Sequence, residues 1–490
     1  MKKIICIIMI VLMTVVGALC GCSPTEETSK SEVSSANSSV LPEYLGEADY
    51  SGKTLRILTT YEDIPFGKAQ FGATETTSEP VNDACYERNC LLEENYGFKI
   101  DAVFTDGYGK YVDKVRTDIT AGTVDYDICC TGIQALGAIA AEGFLLDLNA
   151  IENSHMRLDQ EWWDVASNED MTILGHLYFT TGDICIIDDE NTRCVFYNKT
   201  ILADNQLGNV TDLVYDGEWT LDVMYSMAKA AALECGDDGV MNVSGEDVWG
   251  LVCDSFDTYS LVLGCNCPQT VKNSDDVPEL AMLNNANVNA FMKVYEIISD
   301  TACTAYTEQY YRWNDPNAGT VRGQFYTGNA LFFVSTINKV NSDEMREADI
   351  SYGILPMPKY DVNQENYATT INPYSFMCVS IISECEDTDF VTFALEALAY
   401  SSSKLVTPEY YERTLKNKRF LDDDDSPEML DIIFSNRIVD LSVVFDWDNC
   451  IQYYNQILSG GSAGLASYIE QHSSAFIDQL QDTLEVFEGR

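Results

Sequence analysis

The side chains best equipped for chemistry in this 490-residue chain are 17 cysteines, 78 acidic residues and three histidines. Thiols can act as nucleophiles, paired carboxylates can hydrolyse glycosides, and Cys with His can hold zinc. Spacing removes most of these options. No repeated CxxC or Cys/His pattern supports a metal site, so neither a metal nor another cofactor is expected. The chain contains no H-E-x-x-H pair and no P-loop. With 78 acids, chance carboxylate pairs are inevitable, so acid abundance does not argue for hydrolysis. "LDDDDSP", Leu421 to Pro427, lacks the spaced oxygen ligands and the glycine of a calcium loop and reads as a solvated turn.

One thiol stands apart. An apolar run from Ile4 to about Leu19 follows Lys2 and Lys3 and ends in Leu19-Cys20-Gly21-Cys22. The run falls short of the roughly 20 residues a spanning helix needs, and no cationic flank follows it. The ending resembles a bacterial lipobox, in which the cysteine thiol forms a thioether to a diacylated lipid before cleavage in front of it. Two acyl chains anchor durably, each buried CH₂ contributing about 0.8 kcal/mol. Residues 1–21 are therefore expected to be a lipoprotein signal peptide, with Cys22 the lipidated N-terminus on the extracytoplasmic face of the cell membrane. The segment that follows is rich in Ser, Thr and Glu and too poor in bulky apolar residues to offset its ordering entropy. Residues 22–50 read as a tether; as a coil of about 25 residues it would reach roughly 25–30 Å.

The rest of the chain is long enough for two large lobes. A formal charge of −49 argues against nucleic acid or an anionic membrane surface as partner. The membrane is thus expected to be met only through the lipid. Removing Cys6, Cys20 and Cys22 leaves 14 cysteines in the folded part. Many lie inside apolar runs such as "YDICCTGI" and "FMCVSII", where cysteine behaves as a small hydrophobe, so reduced, buried thiols are expected.

Three elements must position whatever chemistry the folded part does. "KTLRILTTYED" gives a strand from Leu55 to Thr60, "FKIDAVFT" a second, and "DYDICCTG" a third. Between them, Val81, Cys85, Leu92 and Tyr96 recur at helical spacing, and a helix is expected from about Lys110 to Ala121. This alternation predicts an α/β fold with a mainly parallel sheet flanked by helices. Ligands of such sheets bind beyond the carboxyl ends of the strands. That rule nominates Tyr61 and Glu62 after the first strand, and Thr131 and Gln134 after the third. At the C-terminus Ile469, Phe476, Leu480, Leu484 and Phe487 form the apolar stripe of a docked helix.

"VFYNKTIL", "EWTLDVMYSMAKAA", "GNALFFVST" and "YGILPMPKYD" follow in that order, after "EGFLLDLNAI", "WWDVAS" and "LYFTTGDI". With a lipobox in front, this ordered set resembles the bacterial extracellular solute-binding proteins of the maltose-binding-protein type, the capture subunits of ABC importers. The resemblance implies a two-lobed, type II periplasmic-binding-protein-like fold whose lobes close on ligand about crossing hinge segments. Carried over by order, lobe one would be 51–193 plus 329–372 and lobe two 194–328 plus 373–490. Crossings would fall at Asn191–Val195, Gly328 and Asn372–Tyr374.

The same resemblance adds candidate ligand residues. Asp183, Asp188 and Asn191 lie in the approach to the first crossing. Asp257 and Tyr259 stand in "DSFDTYSLVLG", which corresponds in order to a family segment with a stacking aromatic, and Trp447 stands in the comparable "VFDWDNC". Trp313, in "YYRWNDP", is a further candidate that the family order does not require. Sugars suit such a set, since their C–H faces pack on rings while carboxylates and amides accept hydroxyl hydrogen bonds. The resulting expectation is a monomeric, non-enzymatic carbohydrate-capture subunit whose partners are two ABC permeases and an ATPase. A tethered glycoside hydrolase and a surface adhesin are the competing classes.

Overall fold

The computed structural model describes residues 40–60, 62, 66–236, 238–312, 314–415, 425–461 and 464–489. Its strands run in chain order as β1 (Thr54–Thr59), β2 (Lys99–Phe104), β3 (Ile128–Gly132), β4 (Arg193–Asn198), β5 (Trp249–Cys253), β6 (Thr270–Lys272), β7 (Pro278–Leu280), β8 (Thr304–Tyr306), β9 (Ala330–Thr336), β10 (Tyr352–Leu355) and β11 (Met377–Ile381). They form one sheet of order β11-β3-β1-β2, a second of order β10-β4-β9-β5-β8, and the hairpin β6-β7. The first sheet is parallel except for β11, which runs antiparallel to β3. The second is evenly mixed: β5 is parallel to β8 and β9, while β4 is antiparallel to β9 and β10. Helices flank both sheets, giving the expected α/β lobes.

Local chemistry sets the element ends. The helix Pro80–Tyr96 opens with proline in its first turn and the Glu79 carboxylate accepting from the Val81 and Asn82 N–H groups. It ends at Gly97, whose φ of 81° no branched side chain would tolerate well. The helix Tyr108–Ala121 starts behind Gly107 and stops at Gly122 in the same left-handed fashion. Both helices sit where periodicity expects them. The C-terminal helix Leu465–Glu488 likewise buries Ile469, Phe476, Leu480, Leu484 and Phe487.

The sheets correct the expected division into lobes. Segment 329–372 carries β9 and β10, which pair with β4 and so belong to lobe two. Strand β11, assigned above to lobe two, instead pairs with β3 in lobe one. The long helix Thr388–Leu415 follows it there, its Val406 and Tyr410 packing with Val81 and Cys85. The helix Ser426–Phe434 returns to lobe two, placing Leu430 and Ile433 in a core with Ile354 and Phe333. Gly328 lies between the helix Gly319–Tyr326 and β9, inside lobe two, and is not a crossing. The order of segments hid this, because strand pairing rather than chain position decides which sheet a segment completes.

Three extended segments run side by side where the chain passes between sheets. Asn372 N–H donates to Asn191 O at 3.0 Å and Arg193 N–H to Thr370 O at 2.9 Å. Thr369 N–H donates to Asn436 O at 2.9 Å and Ile438 N–H to Thr369 O at 2.8 Å. The third of these, around Arg437, has no counterpart in the sequence-based reading.

All fourteen described cysteines are free thiols, eleven of them buried. Cys129, Cys130, Cys194, Cys253 and Cys378 sit on strands as ordinary core residues. Among the described residues no helix is long and apolar enough to cross a membrane.

Candidate functional site

Residues that flank strand ends of both sheets come together near the crossings. From lobe one come the segments after β2 and β3 and the approach to antiparallel β11. Gly107 admits Tyr108 as the first residue of its helix, and the side chain remains 46% exposed. Gln134 begins the helix Ile133–Ala141 and donates from Nε2 to Asp446 Oδ2 at 2.7 Å. That bond depends on a close helix contact: a Cβ on Gly137 would lie 2.2 Å from Val444 O. Asp446 closes the short helix Leu441–Phe445 with φ 49°, and Asp448 and Asn449 repeat left-handed conformations just beyond. Such clustered non-glycine outliers are typical of segments shaped for a task. Burial raises the Asp446 carboxyl to about 6, against the lowering effect of its hydrogen bonds from Ile451 N–H and Gln134.

Tyr374, on the second crossing, is 41% exposed and its hydroxyl accepts from Gln452 Nε2 at 3.1 Å. Partial burial, then the Asp446 carboxylate, raises the Tyr108 phenol; burial likewise raises that of Tyr374, with Asp446 and Tyr108 adding to it. The two tyrosines and Asp446 thus form one patch. It continues into lobe two, where the Phe256 ring lies 6.4 Å from that of Tyr374.

The lobe-two wall is ionic. Arg193 Nη1 pairs with Asp257 Oδ1 at 2.7 Å, and its guanidinium lies 5.2 Å from the Phe256 ring. Asp257 also accepts from Asp254 N–H at 2.8 Å. Burial raises Asp257 to about 7, against the lowering effect of Arg193. Arg322 reaches Asp254 through Nε at 2.9 Å, and Glu308 accepts from Ser255 N–H at 2.7 Å. Lys339, just past the end of β9, is depressed first by burial and then by neighbouring Arg322. The strand-end rule that found lobe-one candidates would have found Asp254, Glu308 and Lys339 too, had β5, β8 and β9 been recognised as one sheet.

The other expected ligand residues have different roles. Trp447 is buried: it stacks on Phe445 at 5.1 Å and donates from Nε1 to Thr483 Oγ1 at 3.0 Å, so it is a packing residue. Tyr259 is buried within the helix Asp257–Gly264 and offers no ring face to a ligand. Thr131 is buried and hydrogen-bonded to Thr60 at 2.8 Å. Asp188 is buried; it accepts from Thr181 Oγ1 at 2.9 Å and from Asp189 N–H at 2.8 Å. Asp183 accepts from Thr407 at 2.6 Å, and burial raises it to about 7. Asn191 belongs to the crossing itself, its amide Nδ2 donating to Ile187 O and its Oδ1 accepting from Asn338. Glu62 lies at the surface beside Lys68 at 3.4 Å. Gln134 and Asp257 are the two candidates that join the wall residues. Tyr61, Trp313 and Cys22 lie outside the described residues, as does most of "LDDDDSP".

Arg437 fastens the third crossing. Its Nη2 meets Asp164 at 2.7 Å and its Nη1 meets Asp189 at 2.8 Å, with Asp188 at 3.8 Å. Elsewhere, a groove of about 700 Å³ on lobe two runs between the helices Leu221–Ala231 and Asn285–Ser299. Lys293 is already paired with Asp222 there, at 2.8 Å.

Residues 69–380 match the family model described as bacterial extracellular solute-binding protein. Among curated proteins, none matches the chain. Solved structures share its fold at low identity. The sugar-binding protein MalE of Xanthomonas citri is 14% identical, with 89% of this chain and 100% of that one covered and a TM-score of 0.58. The maltose-binding MalE of Listeria monocytogenes, in complex with maltose, is 15% identical over 88% and 98% of the two chains, with a TM-score of 0.56. An ABC transporter solute-binding protein of Thermotoga lettingae bound with α-D-tagatose is 13% identical over 88% and 100%, with a TM-score of 0.55. The fold is the two-lobed one these proteins share, and with the family match extending over most of both sheets, the chain belongs to the bacterial extracellular solute-binding proteins.

Proposed function

We propose that this protein is the capture subunit of an ABC importer for carbohydrate, an oligosaccharide, held between the lobes without chemical change. The observation that carries this reading is the exposed tyrosine pair Tyr108 and Tyr374, set beside Asp446, Gln134 and Gln452 at the strand ends next to the crossings. Solvent-facing rings flanked by amides and a carboxylate suit a sugar, whose C–H face packs on the ring while its hydroxyls bond at the edge. The relatives named above with maltose and tagatose bound support a sugar as the class of solute. Closure about the 191–193, 369–372 and 436–438 segments would follow from ligand contacting both walls, since only differential affinity for the closed state can shift the populations. Cys22 would carry the lipid that holds the protein at the extracytoplasmic face of the cell membrane, and two permeases with an ATPase would receive the solute.

Calorimetry against a panel of mono- and oligosaccharides tests this directly. Saturable, stoichiometric heat with no released product is expected, with compaction in solution scattering on binding. Turnover of the bound sugar would make the protein a glycoside hydrolase, and an unchanged scattering profile at saturation would remove hinge closure.

A further inference from the structure

Composition runs the tether on to residue 50, but the compact body of the chain begins at Pro42. From there residues 43–53 follow the helix Thr388–Leu415, in which Asp389, Phe393, Glu396 and Tyr400 recur at helical spacing and so share one face. Tyr44, in a short turn of helix at Glu43–Leu45, donates from its hydroxyl to Glu396 Oε1. Its ring stacks on Trp162 with centroids 5.9 Å apart, meets Tyr400 edge-on at 6.0 Å, and carries the Arg157 guanidinium 3.5 Å from its centre. Glu396 is wholly buried, and it also accepts from Trp162 Nε1 at 3.1 Å, Trp163 Nε1 at 2.8 Å and Arg157 N–H at 3.0 Å. Further back along the helix, Tyr50 donates to Asp389 Oδ2 at 3.1 Å and packs on Phe390 and Phe393, 5.2 and 4.9 Å away. Lys53 pairs with Asp387 at 2.7 Å. Entry into β1 at Thr54 requires none of the Tyr44 contacts, which lie well upstream of the strand.

We infer that residues 43–53 are a strap that docks the N-terminal arm on lobe one, with Tyr44 as its pin, so that the membrane anchor holds the protein by lobe one. This rests on the lipid anchor proposed above and adds the lobe through which it acts. The tether then ends at Leu41 rather than Tyr50, and a coil of about 20 residues reaches roughly 22–27 Å. A pull on the arm is resisted by the stacked Tyr44 ring and by a buried carboxylate, whose Oε1 keeps only Trp162 as donor when the tyrosine leaves. Arg157, Trp162, Trp163 and the helix Thr388–Leu415 all belong to the lobe of the β11-β3-β1-β2 sheet. The load therefore reaches lobe one without passing through the crossings.

Limited proteolysis of the full folded chain with proteinase K, read by mass spectrometry of the new N-termini, tests the strap. In the parent, cuts should fall before Pro42, with bonds between residues 43 and 50 cleaved about tenfold or more slowly. In Tyr44→Ala those bonds should be cut about tenfold faster than in the parent, while cleavage in lobe two keeps its parent rate. Tyr44→Phe keeps the ring and should fall between the two. Circular dichroism establishes that each variant is folded; should Tyr44→Ala not fold, Tyr50→Ala loosens the same span without baring Glu396. Parent cleavage within 43–50 as fast as before Pro42 overturns the strap. So does an unchanged rate in a folded Tyr44→Ala or Tyr50→Ala variant. An equal acceleration in lobe two overturns it as well, because Tyr44 would then act only as a core residue. Mass spectrometry of the membrane-extracted chain reads the anchor separately. A diacylglyceryl thioether on Cys22 supports anchoring by lobe one, and a mature chain without it overturns that role while leaving the docked strap standing.

Discussion

The two walls of the proposed binding site are built from different materials. At the lobe-one strand ends partly exposed tyrosine rings stand beside amides and one carboxylate. Lobe two presents buried ion pairs, with Arg193 and Asp257 almost wholly removed from water. A ring face tolerates rotation and sliding of what lies on it, so the first wall suits affinity for a repeating, flat-faced ligand. A buried charge pair has one good geometry and a large penalty for any other, so the second wall suits orientation. Substitutions on the first wall should therefore change binding and leave folding alone. On the second they should threaten the fold before they touch the ligand.

The largest effect should come from the ionic wall. Asp257→Ala leaves the Arg193 guanidinium buried without its partner, and its Nε already lacks an acceptor. Breaking one side of a buried pair typically costs about 3–5 kcal/mol, which urea unfolding would read as a lower midpoint at unchanged slope. A loss under about 1 kcal/mol would mean that water reaches Arg193 and that the two walls differ less than their burial implies. Trp447→Ala should cost a similar amount, about 3–5 kcal/mol, because it removes a ring stacked on Phe445 and a hydrogen bond to Thr483. Its effect belongs to the core, which separates this buried tryptophan from the exposed tyrosines.

Protonation offers the next handle. Burial raises Asp183 to about 7 and Glu190 to about 8, both far above unfolded carboxyls near 4. Between pH about 4 and 8 the folded chain therefore holds protons that the unfolded chain has released. The contribution is fully present below pH about 4 and is lost as pH rises through the folded values, so stability should fall from pH 5 to pH 8. General repulsion on a chain of charge −49 acts in the same direction. Asp183→Asn isolates the local part, since it keeps an acceptor for Thr407 and removes the titration. Thermal unfolding of that variant should show a shallower pH dependence and a gain on the order of 1–3 kcal/mol at pH 8. An unchanged slope would assign the whole effect to surface charge.

Much of lobe one was legible because its signals are local. Strands β1, β2 and β3 alternate with helices that carry their own caps, so periodicity and turn residues located each element and the strand-end rule reached Gln134. Lobe two is assembled from strands far apart in the chain: β4 pairs with β9 across more than a hundred residues, and no local pattern encodes that pairing. The division of lobes failed there, and the charged wall of Asp254, Glu308, Arg322 and Lys339 was missed with it. Trp447 failed for another reason. Aromatic type is visible in sequence but exposure is not, and the same ring that would stack on a sugar also fills a core beside Phe445 and Phe476. Tyr374 was read only as part of a crossing, though "INPYS" placed a solvent-facing ring there that a rigid Asn-Pro turn could present.

The smallest effects discriminate most sharply between ring and hydroxyl on the lobe-one wall. Tyr374→Ala should weaken sugar binding by about 1–2 kcal/mol, some five- to thirtyfold, by removing a stacking face. Its stability cost should stay within about 0.5 kcal/mol, because the residue is 41% exposed and its one side-chain bond is to the surface amide of Gln452. Tyr374→Phe keeps the ring and frees Gln452, so calorimetry should find affinity within about threefold of the parent if stacking dominates. A loss in the Phe variant as large as in the Ala variant would mean that the hydroxyl and Gln452 act on the ligand by hydrogen bonding. Lobe one would then be a second polar wall, and the contrast with lobe two would reduce to net charge alone.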